Sequence, residues 1–166
     1  AMTGRRDWGR CGVGALDQVG RALPVVGEAG SAAAPDATRA MASLRAGQAL
    51  HDRARAVHGA GFYRPGEGIV AVRKYVGRHN ALDKLIGAVG ACSAGMVVLT
   101  SRVSVEMVQK SAMAGASVIA AVSAPTTLAV RTAEAAGLTL VALARDETFE
   151  IFTHAERVKE EDDDVA

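Results

Sequence analysis

Residues 96–144 read MVVLTSRVSVEMVQKSAMAGASVIAAVSAPTTLAVRTAEAAGLTLVALA, and this stretch decides the fold class. Three short, nearly continuous apolar runs in it predict β-strands: Met96–Leu99, Ser117–Val122 and Leu138–Ala144. Between these runs, apolar residues recur at helical spacing over Ser104–Ala114 and over residues 125–136. Strands of this kind that alternate with helices are typical of a sheet covered by helices on both faces. The sequence therefore predicts an α/β protein.

The same periodicities extend outward from this stretch in both directions. They predict a helix from Thr38 to about Val57 with Thr38 as its cap, a strand at Ile69–Val72, a helix at Asn80–Val89 and a strand at Phe149–Thr153. Ser104 and Ser123 are the predicted caps of the two central helices, with Pro125 in the first turn of the second. Prolines and glycines between residues 24 and 37 predict a linker, and the charge run at 159–164 predicts a solvated tail.

Composition limits the classes of function that the chain can serve. Its 166 residues fit one domain, and 49% of them are apolar. The net charge of +1 gives no broad electrostatic attraction to nucleic acid or to a membrane surface. No leader opens the chain and no apolar run approaches the roughly 20 residues of a membrane span, so we expect a soluble, cytoplasmic protein. Two cysteines, Cys11 and Cys92, are too few for a disulfide framework.

Polar residues concentrate in four loops that follow the predicted strands. These loops are residues 74–80, 100–104, 123–127 and 144–148. Ligands of α/β sheets gather at the carboxyl ends of strands, where loops meet the N-termini of helices. The four loops therefore predict the position of a binding site, although not its ligand.

Several of these loops carry motifs of a known family. The segments are YVGRHNALDK at 75–84, SRVSVEMVQK at 101–110, SAPTTLAV at 123–130, GLTLV at 137–141 and FTHAER at 152–157. In this order, over residues 38–157, they resemble the formate dehydrogenase accessory sulfurtransferase family (FdhD). A ten-residue motif with further segments in register is far more specific than a lone short motif.

The resemblance implies both a fold and a function. It implies a three-layer α/β/α domain with a cytidine-deaminase-like sheet at residues 38–157, preceded by a cysteine loop and linker at 1–37 and followed by an acidic tail at 158–166. Members of the family carry sulfur from a cysteine desulfurase to a molybdenum cofactor, bis-molybdopterin guanine dinucleotide, to activate formate dehydrogenase. The family also dimerises, so we expect a homodimer.

The resemblance also assigns site residues. Cys11 would carry the sulfur as a persulfide, and its neighbours Arg5, Arg6 and Arg10 favour a thiolate. The cofactor would be bound by Arg78, His79, Arg102, Ser123 and a loop made of Leu143, Ala144, Arg145, Asp146, Glu147 and Thr148. Arginine matches phosphate oxygens, and a helix N-terminus near Asn80 adds N–H donors. The alternative is that Asn80 caps its helix and Arg78 forms a surface ion pair.

Three departures from the family pattern leave a second hypothesis open. The family carries two cysteines near the start of this domain, whereas here either Trp8 replaces the first or Gly14 replaces the second. Asp146 and Glu147 would repel a pyrophosphate. The family's N-terminal portion also has no counterpart here. The alternative is therefore a truncated, non-enzymatic paralogue that binds a guanine nucleotide or cofactor without moving sulfur, so whether the chain is an enzyme stays open.

Two other kinds of site find no support in the sequence. No His, Cys and Asp residues recur at metal-ligand spacing, and the His-x-Glu and Cys-x-x-Cys pairs of zinc deaminases are absent. A general nucleotide-binding regulator would need a phosphate-loop motif, which is also absent.

Cys92, between Ala91 and Ser93 and just before a strand, is predicted to be a small packed residue.

Overall fold

A computed structural model describes residues 23–26, 32–46, 57–93, 95–145 and 148–159. The elements in chain order are β1 (Ala32–Ala33), α1 (Ala34–Ala46), β2 (His58–Arg64), β3 (Gly68–Tyr75), α2 (Arg78–Val89), β4 (Met96–Leu99), α3 (Val105–Met113), β5 (Val118–Ala121), α4 (Thr127–Ala135), β6 (Thr139–Arg145), β7 (Thr148–Thr153), a 3₁₀ turn (Ala155–Arg157) and β8 (Val158–Lys159). Among these residues, no helix is long and apolar enough to span a bilayer.

Six of the strands form one mixed sheet in the order β3-β2-β4-β5-β6-β7. β4, β5 and β6 pair in parallel, whereas β2 is antiparallel to both of its neighbours and β7 is antiparallel to β6. β3, β4, β5 and β6 therefore all run in one direction, and their carboxyl ends lie at one edge of the sheet. β1 and β8 form a separate parallel pair.

Alternate residues of the central strands point into two separate cores. Val97 and Leu99 of β4 face α2, α3 and α4, together with Phe62 of β2. Met96 and Val98, on the other face of the same strand, pack against α1. This is the result expected of strands buried on both sides. The predicted α/β class, with helices on both faces of the sheet, is confirmed as three helices on one face and one on the other.

The first helix begins earlier than the sequence predicted. It starts at Ala34 rather than at Thr38, so Pro35 and Asp36 belong to its first turn. Proline is tolerated in the first turn because the N–H that it lacks would have no helical partner there. Thr38 therefore does not cap the helix, and its hydroxyl donates to the Pro35 carbonyl at 2.9 Å. The described elements extend past 38–157 at both ends, and the division into domains stays a prediction.

Strand β2 was not predicted, because its sequence HGAGFYR has two glycines and no β-branched residue. Tertiary packing explains one of these glycines. A Cβ on Gly61 would lie 3.1 Å from Cδ1 of Leu44 on α1 and 3.3 Å from Cδ1 of Ile69 on β3. The glycine therefore lets α1 lie close to the sheet, and β2 joins β3 to β4 as a central strand.

The predicted cap of α4 is also wrong. Thr126, rather than Ser123, caps this helix, and its hydroxyl accepts from the Ala129 N–H at 3.2 Å. Pro125 lies outside the helix, in a parallel bridge with Val103. The Thr126 N–H donates to the Val103 carbonyl at 3.0 Å, so the chain stays extended past the proline before it turns.

Candidate functional site

The loops that follow β3, β4 and β5 and the β6–β7 hairpin meet at one edge of the sheet, because these strands share a direction. These are the four loops in which the sequence concentrates polar residues. α2, α3 and α4 begin there, each three to six residues after the end of its preceding strand. Three helix N-termini therefore lie at this edge, with the positive ends of their dipoles toward it.

The first turns of α2 and α3 are open to a ligand. Their N-caps, Gly77 and Ser104, make no side-chain capping hydrogen bond, whereas Thr126 caps α4. Uncapped N–H groups at the positive end of a helix bind anions. The edge near β3 and β4 thus suits a phosphate better than the start of α4 does.

His79, in the first turn of α2, faces the start of α3. Its Nε2 lies 3.5 Å from the Ser104 hydroxyl oxygen and 3.9 Å from Oε2 of Glu106. Burial lowers the pKa of His79, and the neighbouring Arg78 lowers it further. Both effects favour the neutral form of the imidazole.

A second contact fixes α2 against α3 one turn further along. The Lys110 ammonium donates to Oδ1 of Asp83 at 2.6 Å. Asp83 follows His79 by four residues, and Lys110 follows Glu106 by four, so the two contacts form successive rungs between the helices. This double contact sets the relative position of the two open N-termini.

The arginines and the serine assigned from sequence lie at the same edge. Arg78 is half-buried, and its Nε is shielded from solvent with no hydrogen-bond partner among the described residues. Arg102 is exposed in the loop after β4, and Ser123 is half-buried after β5. Arg78 and Arg102 are thus presented by the two loops whose helices have open N-termini.

The β6–β7 hairpin lies two strands from β4, which is about 10 Å at the usual strand spacing. Leu143 has a left-handed backbone (φ 54°) within the irregular pairing between Ala142 and Arg145. Such bulges are enriched beside active sites. Ala144 is buried on the α1 side, and its carbonyl accepts from Arg45 at 3.3 Å. Thr148 is exposed at the start of β7.

Three residues assigned from sequence lie outside the described residues. These are the candidate sulfur carrier Cys11 and the acidic pair Asp146 and Glu147. Cys92 is described, and it is buried in the core that faces α2, α3 and α4. Burial raises the pKa of its thiol, so it is unsuited to nucleophilic chemistry. This confirms the prediction that Cys92 is a packed residue.

Sequence reasoning did not assign Glu106 or Ser104 to the site, although their contacts with His79 place them there. The sequence predicts Ser104 as the cap of α3 and gives Glu106 no role of its own. The matching i, i+4 spacing of His79 with Asp83 and of Glu106 with Lys110 is a weak signal that could have paired them. Among the described residues, no three His, Cys, Asp or Glu side chains could together hold a metal ion.

The model of the FdhD/NarQ family matches residues 3–159 of this chain. The chain belongs to the FdhD/NarQ family. The matched region includes every motif quoted above and Cys11. It also includes the two helix starts that form the open edge of the sheet.

Curated FdhD relatives support the same assignment. Proteins named sulfur carrier protein FdhD are 63% identical over 129 residues in Brucella abortus and 51% identical over 162 residues in Agrobacterium fabrum. These matches cover 75% and 95% of this chain but 48% and 60% of the relatives. The chain thus spans about half to three-fifths of the length of these FdhD proteins.

A solved structure agrees with the fold. It is the crystal structure of a Desulfotalea psychrophila protein assigned as a formate dehydrogenase accessory protein. It matches with a TM-score of 0.73 and 28% identity, over 82% of this chain and 59% of that one. The predicted fold of the FdhD family is therefore confirmed.

Proposed function

We propose that this FdhD-family chain is a sulfur carrier in the maturation of formate dehydrogenase. Cys11 receives sulfur from a cysteine desulfurase and passes it to bis-molybdopterin guanine dinucleotide, bound at the open edge of the sheet. The observation that carries this proposal is the 63% identity to a protein named sulfur carrier protein FdhD. A match of the family model that includes Cys11 supports the choice of thiol.

The first step is an exchange without net oxidation. The Cys11 thiolate attacks the outer sulfur of a persulfide on the desulfurase, a new S–S bond forms, and the desulfurase thiolate leaves. Three arginines within six residues of Cys11 favour its thiolate form. Cys92 takes no part, because it is buried with a raised pKa.

The proposed cofactor, bis-molybdopterin guanine dinucleotide, suits the charges at this edge. It is long and carries several phosphates, which would accept hydrogen bonds from the open N-termini of α2 and α3 and from the guanidinium groups of Arg78 and Arg102. The loop 143–148 and Ser123 would bind the part of the cofactor that extends along the edge. The roughly 10 Å between β4 and β6 is a distance that a dinucleotide spans and a single phosphate does not.

The proposal includes its partners and location. A cysteine desulfurase supplies the sulfur, formate dehydrogenase receives the finished cofactor, and the carrier acts as a homodimer in the cytoplasm. These assignments of partners and location rest on membership of the FdhD/NarQ family.

One feature favours a second candidate, a protein that binds a guanine nucleotide or cofactor without transferring sulfur. The segment around Cys11 has one cysteine where the family pattern has two. A direct sulfur-loading experiment separates the two candidates. The chain is incubated with a cysteine desulfurase and cysteine, then mapped by mass spectrometry. We expect one added sulfur on Cys11 in the parent and in Cys92→Ala, and none in Cys11→Ala. An unmodified Cys11 in the parent supports the binding-only candidate.

Binding at the edge is tested separately with guanosine diphosphate and calorimetry. Arg78→Ala and Arg102→Ala should each weaken binding by about 1–3 kcal/mol, the range for charge-assisted hydrogen bonds. Arg131→Ala, an exposed arginine on α4, is the matched control and should leave the affinity unchanged. Unchanged affinity in both site variants, or no binding by the parent, contradicts the proposed site.

A further inference from the structure

His79 and Glu106 lie opposite each other at the starts of two neighbouring helices. The Asp83–Lys110 contact one turn below holds α2 against α3 and so fixes this arrangement. Both side chains are about one-third exposed, 37% for His79 and 26% for Glu106, so a ligand at the edge can reach them. Nothing in the assigned sulfur chemistry uses Glu106.

We propose that Glu106 is a positioning residue that holds His79 ready to take up a proton when a phosphate group binds between the first turns of α2 and α3. This inference rests on the proposed function, because it concerns the same binding edge. It adds a named proton acceptor and the residue that orients it.

The charges around His79 determine whether a bound phosphate raises or lowers the pKa of its imidazole. Among the described residues, those that act on it are Arg78 and Asp83 of its own helix and Glu106 and Lys110 of α3. Burial and the two cations lower the pKa of His79, whereas the two carboxylates raise it. A bound phosphate adds negative charge on the same side as the carboxylates, so it raises the pKa of the imidazole further.

Binding and protonation are therefore linked. His79 is neutral without an anion and gains a proton with one, so anion affinity is greatest at low pH and falls as pH rises through the pKa of the bound state. The fall due to one proton is at most about tenfold per pH unit. The imidazolium that forms places a positive charge beside the ligand, and the Glu106 carboxylate, 3.9 Å from its Nε2, is its counter-charge.

A purely structural role for Glu106 makes a different prediction. An acidic residue in the first turn of α3 stabilises that helix through its dipole, whatever the state of His79. Such a role changes the stability of the protein without changing the titration of a histidine on α2. The titration of His79 therefore distinguishes a positioning role from a helix-stabilising one.

The first measurement follows the histidine itself by NMR titration in the absence of ligand. Glu106→Gln should lower the pKa of His79 relative to the parent, and Glu106→Asp should restore part of the change. Glu134→Gln is the matched control, since Glu134 makes an equivalent 3.9 Å approach to His154 rather than to His79. A His79 titration that is the same in the parent and in Glu106→Gln overturns the positioning role.

The second measurement counts protons. Binding of guanosine diphosphate is followed by calorimetry in buffers of different ionisation enthalpy, for the parent and for His79→Asn. The terminal phosphate of the nucleotide itself titrates near pH 6, so the difference between the two proteins is the readout. We expect the parent to take up more protons than His79→Asn, and Glu106→Gln to take up fewer than the parent near neutral pH.

The outcomes separate this inference from the proposed function. If the nucleotide binds with equal proton uptake in the parent and in His79→Asn, the inference is overturned and the binding site stands. If the nucleotide does not bind the parent at all, the proposed site and this inference both fail.

Discussion

Tyr63 of β2 and Asp36 of α1 form a buried hydrogen bond between the sheet and the helix that covers its second face. The Tyr63 hydroxyl donates to Oδ1 of Asp36 at 2.6 Å, and both residues are buried. Arg39 approaches the same carboxylate oxygen at 3.9 Å. This bond connects residues 27 positions apart, and it holds the start of α1 against the sheet.

Tyr63→Phe should therefore destabilise the fold. Removing the hydroxyl deprives a buried carboxylate of a donor, which costs about 1.5–3 kcal/mol. Urea unfolding measures the loss. Tyr75→Phe is the control, since Tyr75 is exposed and a surface change of this kind is usually within about 0.5 kcal/mol. Equal stability of both variants would show that the bond contributes nothing.

The same bond predicts a pH dependence. Burial, and then the hydrogen bond to Asp36, raise the pKa of Tyr63 from its ordinary value of 10.0 to about 12. Because the folded value is the higher one, this stabilisation is complete below pH 10 and is lost as pH rises toward 12. The difference in unfolding free energy between parent and Tyr63→Phe should shrink over that range. A constant difference across it would contradict the assignment.

At the scale of single elements, the helices differ in how they begin. Thr126 caps α4 through its side chain, whereas Ser104 at the start of α3 makes no such bond. Thr126→Ala should therefore lower the free energy of unfolding by about 1 kcal/mol. Ser104→Ala, the matched control, should change it much less. Thermal unfolding of the two variants measures these losses of stability. A larger loss of stability in Ser104→Ala than in Thr126→Ala would contradict the prediction.

Alanine substitutions at two glycines, Gly95 and Gly87, should change the stability of the protein in opposite directions, because the space around the two residues differs. A Cβ on Gly95, just before β4, would lie 2.2 Å from the Tyr63 carbonyl oxygen and 2.8 Å from the Phe62 ring. Gly87, on the exposed side of α2, has nothing within 4 Å of such a Cβ.

Gly95→Ala should destabilise the protein by about 1–3 kcal/mol or more, because backbone must move to admit the methyl group. Gly87→Ala should stabilise it by about 0.5–1 kcal/mol, since alanine favours a helix interior. Denaturant unfolding of both variants gives the two signs, and the same sign in both would contradict the packing described here.

At the scale of the whole molecule, the proposed sulfur transfer would require the segment around Cys11 to act together with the edge of the sheet. If Trp8 stands where the family has its first cysteine, a persulfide on Cys11 has no neighbouring thiol to resolve it. In Trp8→Cys, the introduced thiolate can attack the inner sulfur, form a disulfide with Cys11 and expel the outer sulfur as sulfide.

Trp8→Cys should therefore release sulfide faster than the parent after loading by a cysteine desulfurase. The measurement is the sulfide released per loaded chain, with Trp8→Ser as the control that removes the indole without adding a thiol. Equal release by the parent and Trp8→Cys would mean that one cysteine suffices. Faster release by Trp8→Ser would assign the effect to loss of the indole.

The sequence alone determined most of the fold. The apolar runs at Met96–Leu99, Ser117–Val122 and Leu138–Ala144 correspond to the three parallel central strands β4, β5 and β6, because residues buried on both faces must be largely apolar. Gly115 and Gly137 lie just past the ends of α3 and α4 with positive φ, as expected of glycines that end helices. The motifs also identified the family, since they occur in the order in which the family has them.

The remaining features depend on contacts between residues that are distant in the sequence. The glycine-rich strand β2 has no local preference for extended structure, and it forms because β3, β4 and α1 enclose it. Strand β1, which directly precedes α1, pairs with β8, and the extended path through Pro125 pairs with Val103, so both features involve partners far along the chain. The meeting of His79 with Glu106 likewise follows from the packing of α2 on α3. Local sequence contains the hydrophobic periodicity of each helix and strand, whereas contacts between distant residues depend on how these elements pack. For this reason the sequence predicted only part of the site.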